Sequence, residues 1–284
     1  MTNKLLDFIK TSLPKLEINS VQINDEGWDN DILIVNQQLV FRFPKTEAIA
    51  DKIHAEAALL ESLINKHLLI GLPVYHKLND ENGKLKCVYY DYIDGAPLKS
   101  CHPDKKSAMI LGDFLTRLHQ INPAQTDLKI ERTYAFWENL FHSVQKEVFP
   151  LISNSEKEKI QAVFTGFLDD YKACQQLDTI VHGDLTASNI ICKNREVTGV
   201  IDFTDAQIGD SAMDFAGFYW GWGPEFTHDV LAWYEGKEPA ASILKRVQGF
   251  YGLQPAFHEL LHAVRNNNKA EWDYALARFM ELAD

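Results

Sequence analysis

Three polar residues in one short stretch of the chain have the types and the spacing that phosphate chemistry requires. Asp184 and Asn189 occur in the polar loop of Ile180-Val-His-Gly-Asp-Leu-Thr-Ala-Ser-Asn-Ile-Ile-Cys192, and Asp202 follows in Val200-Ile-Asp-Phe-Thr204. An amide and a carboxylate supply the hard oxygen atoms that Mg²⁺ prefers. A second carboxylate that does not bind the metal can accept the proton of a hydroxyl group. The combination therefore predicts phosphoryl transfer, which depends on positioning and on neutralising phosphate charge.

These residues need rigid elements to hold them, and the surrounding sequence predicts such elements. Short apolar strands are expected on both sides of the loop that presents Asp184 and Asn189, within residues 179–203. Another of these strands leads directly to Asp202. Two of the side chains are therefore expected in a loop between strands, and the third directly after a strand.

The rest of the chain divides into a β-rich front and a mostly helical rear. The front pattern predicts an opening helix to about Ser12, an antiparallel meander, a long helix beginning after Thr46 and two later strands. The predicted strands are Val21–Ile23, Asp31–Val35, Leu39–Phe43, Pro73–His76 and Leu85–Ile93. After Gly95-Ala96-Pro97 the pattern predicts helices over 104–120, 133–150, 155–176 and most of the chain beyond Asp210. We therefore expect a bilobal α+β protein with lobes 1–94 and 95–284.

Bulk composition excludes several classes of function. The chain carries 40 acidic and 28 basic residues, a net charge of −12, which disfavours nucleic acid as a partner and suits a cationic small molecule. The four cysteines are scattered, which argues against a disulfide framework or a zinc site. With no signal peptide pattern and no apolar run of the ~20 residues that span a bilayer, we expect a cytoplasmic protein that does not bind a membrane. A monomer is expected rather than an oligomer.

The motif His182-Gly-Asp-Leu-Thr-Ala-Ser-Asn189 has the spacing of the protein-kinase loop H-R-D-L-x-x-x-N. The glycine after the histidine, together with Gly209-Asp-Ser-Ala-Met-Asp214, resembles the aminoglycoside phosphotransferases, most of all the enzymes that modify the 2″-hydroxyl. The resemblance spans nearly the whole chain. It implies a protein-kinase-like fold and transfer of the γ-phosphate of ATP or GTP, with Mg²⁺, to a hydroxyl of an aminoglycoside. Such a reaction confers antibiotic resistance.

The resemblance also implies a role for each residue of the motif. Asp184 matches the catalytic aspartate, and Asn189 and Asp202 match the magnesium ligands. His182 matches a scaffold position that holds the loop, and Asp214 matches a buried aspartate that braces the loop through backbone hydrogen bonds. Only a few residues separate Asp202 from Asp214, which leaves no room for the activation loop of a protein kinase.

The residues expected to bind the nucleotide follow the family pattern less closely. Arg42 stands where kinases place a strand lysine, and Lys45 is the alternative cation. Glu56, on the apolar stripe of the following helix, is the expected partner of that cation. The backbone at Asp91 and Ile93 is expected to bind the purine. Residues 24–30 contain a single glycine, Gly27, and do not match the glycine-rich kinase loop, and only one of the adjacent tyrosines 89 and 90 is expected to face the purine.

The acceptor site is expected among the acidic residues of the rear helices. The candidate carboxylates are Glu225, Asp229, Glu235 and Glu238, and Trp222 or Trp233 is a candidate stacking surface. Two alternatives stay open. The chain could be a kinase of the same fold that acts on choline, a sugar, a macrolide or homoserine, or a kinase-like binding protein without activity, for which the arginine at position 42 is the sole support.

Overall fold

The computed structural model describes residues 2–24, 29–100, 102–173 and 177–283. Gly27 of the glycine-poor loop, Cys101, Cys174 and the last residues of the helix predicted over 155–176 lie outside these ranges. Internal contacts divide the chain into two compact units, Met1–Glu61 with Leu72–Asp94 and Ser62–Gly71 with Gly95–Asp284. The protein therefore has the bilobal α+β fold that the sequence predicts.

The first unit is built on a five-stranded antiparallel sheet. Its elements are α1 (Thr2–Ser12), β1 (Val21–Asn24), β2 (Asn30–Val35), β3 (Leu39–Pro44), all but the last turn of α2 (Glu47–Ile64), β4 (His76–Asn79) and β5 (Leu85–Asp91). The strand order in the sheet is β1-β2-β3-β5-β4. The predicted meander is confirmed, because β1 pairs with β2 and β2 pairs with β3 in an antiparallel register.

The two faces of this sheet differ because side chains alternate along a strand. On one face, Ile9 of α1 packs with the buried side chains of Phe41 and Phe43 on β3. On the other face, Arg42 of β3 lies beside Val88 of β5, and Val40 lies beside Tyr90. One face is thus an apolar core, and the other carries a charged residue.

The predicted strand Pro73–His76 is wrong, since pairing begins only at His76, with β4. Pro73 has no N–H to donate to a neighbouring strand. Tyr75 turns its hydroxyl toward Glu56, to which it donates a hydrogen bond of 2.7 Å.

The short segment 62–71 belongs to the second unit, although the predicted division assigned it to the first lobe. Gly71 N donates to Thr198 O at 2.8 Å, and Val200 N donates to Gly71 O at 3.2 Å. Arg117 Nη1 also donates to Lys66 O at 2.9 Å. The two backbone bonds attach Gly71 to residues 198–200, a pairing that no local pattern reveals.

The second unit combines two small sheets with a bundle of helices. Its strands are β6 (Ala96–Pro97), β7 (Thr179–Val181), β8 (Ile190–Lys193), β9 (Glu196–Val200) and β10 (Gln207–Gly209), paired in the orders β6-β8-β9 and β10-β7. Its helices are α3 (Lys105–His119), α4 (Tyr134–Glu147), α5 (Asn154–Ala173), α6 (Ala216–Leu231), α7 (Ala240–Arg246), α8 (Pro255–Asn266) and α9 (Lys269–Leu282).

Local sequence sets the limits of these helices. The side chain of Asp104 caps α3 by accepting a hydrogen bond from Ser107 N, and Thr133 caps α4 in the same way. Gly223 has φ +80° and Pro224 follows it, so α6 is kinked at this point. Among the described residues, none of the helices is both long and apolar enough to span a bilayer.

Candidate active site

The loop between β7 and β8 holds Asp184 and Asn189 in direct contact. Asn189 Nδ2 donates to Asp184 Oδ2 and to Asp184 O, both at 2.8 Å. Ile201 N donates to Asn189 O at 2.9 Å, which joins the loop to the segment that ends in Asp202. The structure thus connects the three residues that sequence analysis singled out.

Asp202 has an unusual backbone conformation, with φ +63°. This left-handed region is sparsely populated by residues other than glycine, and such residues cluster at functional sites. Thr204 Oγ1 donates to Asp202 Oδ1 at 2.7 Å and so helps to fix the carboxylate. The backbone of Asp202 is therefore locally strained, and the surrounding structure must hold it in this conformation.

Asp214 is completely buried and supports the loop between β7 and β8. Its two oxygen atoms accept hydrogen bonds from His182 N at 2.8 Å and from Gly183 N at 2.9 Å. His119 Nε2 lies 3.0 Å from Asp214 Oδ2. One carboxylate therefore holds the backbone N–H groups of the two residues that immediately precede Asp184.

Both ring nitrogen atoms of His182 contact the protein backbone. Its ring is buried against Phe203, with ring centroids 4.5 Å apart. Nε2 lies 3.1 Å from Ile201 O, while Asp184 N donates to Nδ1 at 3.3 Å. Because a carbonyl can only accept, Nε2 is the donor toward Ile201 O, and Nδ1 accepts from Asp184 N.

The environments of the two aspartates shift their pKa values in opposite directions. Burial raises the pKa of Asp184 above its usual value. The charges of His182 and Arg132 oppose this increase, and those of Asp205 and Asp202 add to it. Burial also tends to raise the pKa of Asp214, but the interactions with His119, His182 and Gly183 outweigh it, so the pKa of Asp214 lies below its usual value. Asp184 is consequently the better proton acceptor of the pair.

The donor atoms near Asp184 fit a magnesium ion. Since the amide nitrogen of Asn189 is directed at Asp184, its Oδ1 points away from that residue. Asp202 contributes a carboxylate, so the set consists of hard oxygen atoms. Protein kinases hold Mg²⁺ with an asparagine and an aspartate of the same kind, and the phosphates complete the coordination.

In the first unit, Arg42 and Glu56 form a buried ion pair. Arg42 Nη1 lies 3.0 Å from Glu56 Oε1, and the two residues are only 2% and 1% exposed. The hydroxyl of Tyr75 contacts both side chains. Lys45 instead pairs with Asp31 at 3.6 Å and is about one-third exposed, at 31%. Of the two candidate cations, Arg42 has the partner that the sequence predicted.

The strand that leads to the predicted purine site ends at Asp91, which pairs with Leu39. Ile93 follows it outside the strand and is half-buried. The two tyrosines before them point to opposite faces. Tyr89 stacks on Phe41 on the apolar face, whereas Tyr90 packs against Tyr75 on the face of Arg42. Tyr90 is therefore the tyrosine that shares a face with the phosphate-binding candidates.

The four acceptor candidates differ in their surroundings. Glu225 is exposed and Asp229 is half-buried on α6 after the kink at Gly223, and Glu235 is exposed. Glu238 accepts hydrogen bonds from Ser211 and from Arg246, which also binds Asp210. The carboxylate of Glu238 is therefore engaged within the protein, and its role toward an acceptor stays a prediction. Trp233 is 54% exposed, and Trp222 packs on Phe226.

Sequence analysis missed two residues that the fold brings to the catalytic loop and its brace, and one residue at the Arg42–Glu56 pair. Arg132 Nη1 donates to Gly183 O at 2.8 Å, and its Nη2 lies 3.6 Å from Asp205 Oδ2. His119 reaches Asp214 from α3, and Tyr75 joins the pair in the first unit. All three come from outside the motif and belong to no spacing pattern, so a single sequence carries no signal for them.

Comparison with known proteins yields a matching family model and several relatives. The model of the phosphotransferase enzyme family matches residues 20–244. Viomycin phosphotransferase of Streptomyces vinaceus is 26% identical over 283 residues, which cover 93% of this chain and 94% of the relative. Homoserine kinase of Beijerinckia indica subsp. indica is 26% identical over 195 residues, which cover 63% of this chain and 58% of that protein.

Among solved structures, the GDP and kanamycin complex of APH(2″)-IIIa superposes with a TM-score of 0.81. The two sequences are 23% identical, and the alignment covers 98% of each chain. At this identity the likeness establishes a common fold.

Proposed function

The chain belongs to the phosphotransferase enzyme family, and on this basis we propose that it transfers the γ-phosphate of ATP or GTP to a hydroxyl group of a cationic aminoglycoside antibiotic. The observation that carries the proposal is the arrangement of Asp184, Asn189 and Asp202. Asn189 bonds to Asp184 through its side chain and to the segment before Asp202 through its backbone. We assign nucleotide binding to residues 1–94 and catalysis to residues 95–284.

In the proposed reaction, Asp184 orients the acceptor hydroxyl and accepts its proton as the new oxygen–phosphorus bond forms. Its raised pKa makes it a stronger base than an exposed aspartate. Asn189 and Asp202 would hold Mg²⁺, which neutralises charge on the phosphates. His182 and Asp214 keep the loop in one conformation, so that Asp184 does not have to reorganise during the reaction.

The intact set of three residues argues against an inactive binding protein. The arginine at position 42, which motivated that alternative, forms the buried pair with Glu56 that the phosphate-binding role requires. Arginine also has a planar, bidentate geometry that suits phosphate oxygens.

The acceptor class rests on charge and on similarity. Glu225, Asp229 and Glu235 are carboxylates of the helical rear that are at least partly exposed to solvent, and carboxylates suit the ammonium groups of an aminoglycoside. The APH(2″)-IIIa structure contains kanamycin and GDP, which supports both this acceptor class and GTP as a donor. The relative named viomycin phosphotransferase supports viomycin as a further candidate acceptor.

A panel of acceptors tests the proposal directly. Kanamycin, gentamicin, viomycin, a macrolide, choline and homoserine are each incubated with ATP or GTP and Mg²⁺, and products are identified by mass spectrometry. We expect phosphorylation of an aminoglycoside, GTP used at least as well as ATP, and a KM for the acceptor that rises with salt because charge pairs are screened over about 8–10 Å. If only homoserine or another small alcohol is phosphorylated, the acceptor assignment fails while the reaction type stands.

The donor-binding cation is tested by comparing two substitutions. Arg42→Ala is expected to raise the KM for the nucleotide about 10- to 100-fold, since hydrogen bonds to charged groups contribute roughly 1.5–3 kcal/mol. Lys45→Ala is expected to change it less than about threefold, because an exposed pair contributes about 0–1 kcal/mol. The reverse ranking assigns the role to Lys45. The double variant Arg42→Ala/Glu56→Gln is the control, since it removes the cation without leaving a buried carboxylate unpaired.

A further inference from the structure

The peptide group between Gly183 and Asp184 is held from two sides. On its nitrogen side, Asp184 N donates to His182 Nδ1 at 3.3 Å. On its oxygen side, Gly183 O accepts from Arg132 Nη1 at 2.8 Å. Because the orientation of this peptide sets the direction of the Cα–Cβ bond of Asp184, both contacts act on the position of the reactive carboxylate.

Position 183 has no room for a side chain that could orient this peptide group. A Cβ atom at Gly183 would lie 2.2 Å from Asp205 O, and the residue has φ +81°. The protein-kinase loop has an arginine at this point of the motif, H-R-D. Here the backbone of Asp205 occupies the space, and the arginine that contacts the loop is Arg132, 51 positions away in the chain.

The backbone of Arg132 is anchored by hydrogen bonds on both sides. Its backbone N donates to Gln207 Oε1 at 2.9 Å, and its backbone O accepts from the hydroxyl of Tyr171 at 3.0 Å. Its guanidinium lies over the ring of Phe136 at 5.9 Å and is about one-fifth exposed, at 19%. A residue anchored on both sides of its backbone can fix a second group with little loss of entropy.

From this geometry we propose that Arg132 is a positioning residue of the reaction, which holds the Gly183–Asp184 peptide so that Asp184 meets the acceptor hydroxyl in one orientation. The inference rests on the proposed function for its kinetic consequence. Nη2 lies 3.6 Å from Asp205 Oδ2, so the same guanidinium also draws together the catalytic loop and the segment after Asp202. Arg132 acts through the loop and is not itself a catalytic residue.

The test compares Arg132→Gln and Arg132→Lys with Arg117→Gln. Arg117 is a matched control, because its guanidinium likewise joins a main-chain carbonyl, of Lys66, to an aspartate, Asp113. Arg132→Gln is expected to lower kcat about 10- to 100-fold with little change in the KM for the nucleotide, since small misplacement of a reacting group has effects of this size. Arg132→Lys is expected to recover most of the loss, and Arg117→Gln to leave kcat unchanged. A kcat for Arg132→Gln within about twofold of wild type, or an equal loss in Arg117→Gln, overturns the proposal.

Hydrogen exchange separates this inference from the proposed function, because it needs no acceptor. In Arg132→Gln, the amides of residues 182–186 are expected to exchange faster than in the wild type, while those of α3 keep their rates. Faster exchange in a protein that phosphorylates none of the acceptors retains the role of Arg132 in the loop and rejects the function. Unchanged exchange at residues 182–186 rejects the role of Arg132, whichever acceptor is phosphorylated.

Discussion

Replacing Asp184 with asparagine is expected to reduce kcat about 10²- to 10⁴-fold, the usual contribution of a positioned general base. Asparagine has nearly the same shape, so binding of the nucleotide should change little. Its amide oxygen can still accept the hydrogen bond that Asn189 Nδ2 donates to Asp184 Oδ2 in the wild type at 2.8 Å. Steady-state kinetics with the best acceptor and calorimetry with the magnesium nucleotide measure the two effects separately. Turnover near that of the wild type would rule out Asp184 as the base.

Asp184→Asn is expected to lower activity without lowering the stability of the folded protein. Because burial raises the folded-state pKa of Asp184, ionisation of this carboxyl at neutral pH opposes folding. The neutral amide removes that penalty, so Asp184→Asn is expected to unfold at the same or a higher temperature than the wild type near pH 7. The difference should vanish below the pKa of an unfolded aspartate, about 3.9, where the wild-type residue is protonated as well. Asp178→Asn, at an exposed residue paired with Lys237, is the control for a generic loss of charge.

Asp214→Ala is expected to have the largest effect on stability of any single change considered. It leaves the N–H groups of His182 and Gly183 without their acceptor, and it removes the partner of His119 from a completely buried site. Breaking a buried pair of this kind costs about 3–5 kcal/mol. Denaturant unfolding followed by far-UV circular dichroism measures the loss. A cost below about 1 kcal/mol would contradict the bracing role.

Asp214→Asn keeps the test decisive if the alanine variant does not fold. It retains one acceptor oxygen for the two backbone donors, so a smaller loss of stability is expected, together with a reduced kcat because the loop is less firmly held. Folding lowers the pKa of Asp214 in the wild type. The ionised carboxylate therefore adds its full contribution to the free energy of unfolding above the pKa that Asp214 has in the unfolded chain. This contribution is lost as the pH falls through the pKa that Asp214 has in the folded protein. The difference between wild type and Asp214→Asn should accordingly narrow in acid. Asp178→Ala is the exposed control, expected to change stability by less than about 1 kcal/mol.

The sequence by itself determined the chemistry and most of the elements. Asp184, Asn189 and Asp202 occur within 19 residues of one another, so their spacing is readable in one line of sequence. The meander of β1 to β3 and the helices α3 and α4 follow from alternation, from apolar periodicity and from the capping residues Asp104 and Thr133. These features depend on neighbours in the chain, and a single sequence contains that information.

Tertiary structure alone decided which distant groups serve the site. Arg132 reaches Gly183 across 51 positions, and His119 reaches Asp214 across 95. It also decided that Glu238 pairs with Arg246, and that Tyr75 turns toward Glu56 instead of extending a strand. Such contacts depend on where the packed core brings two elements together, and local periodicity records only that a residue faces the core, without recording what it meets there.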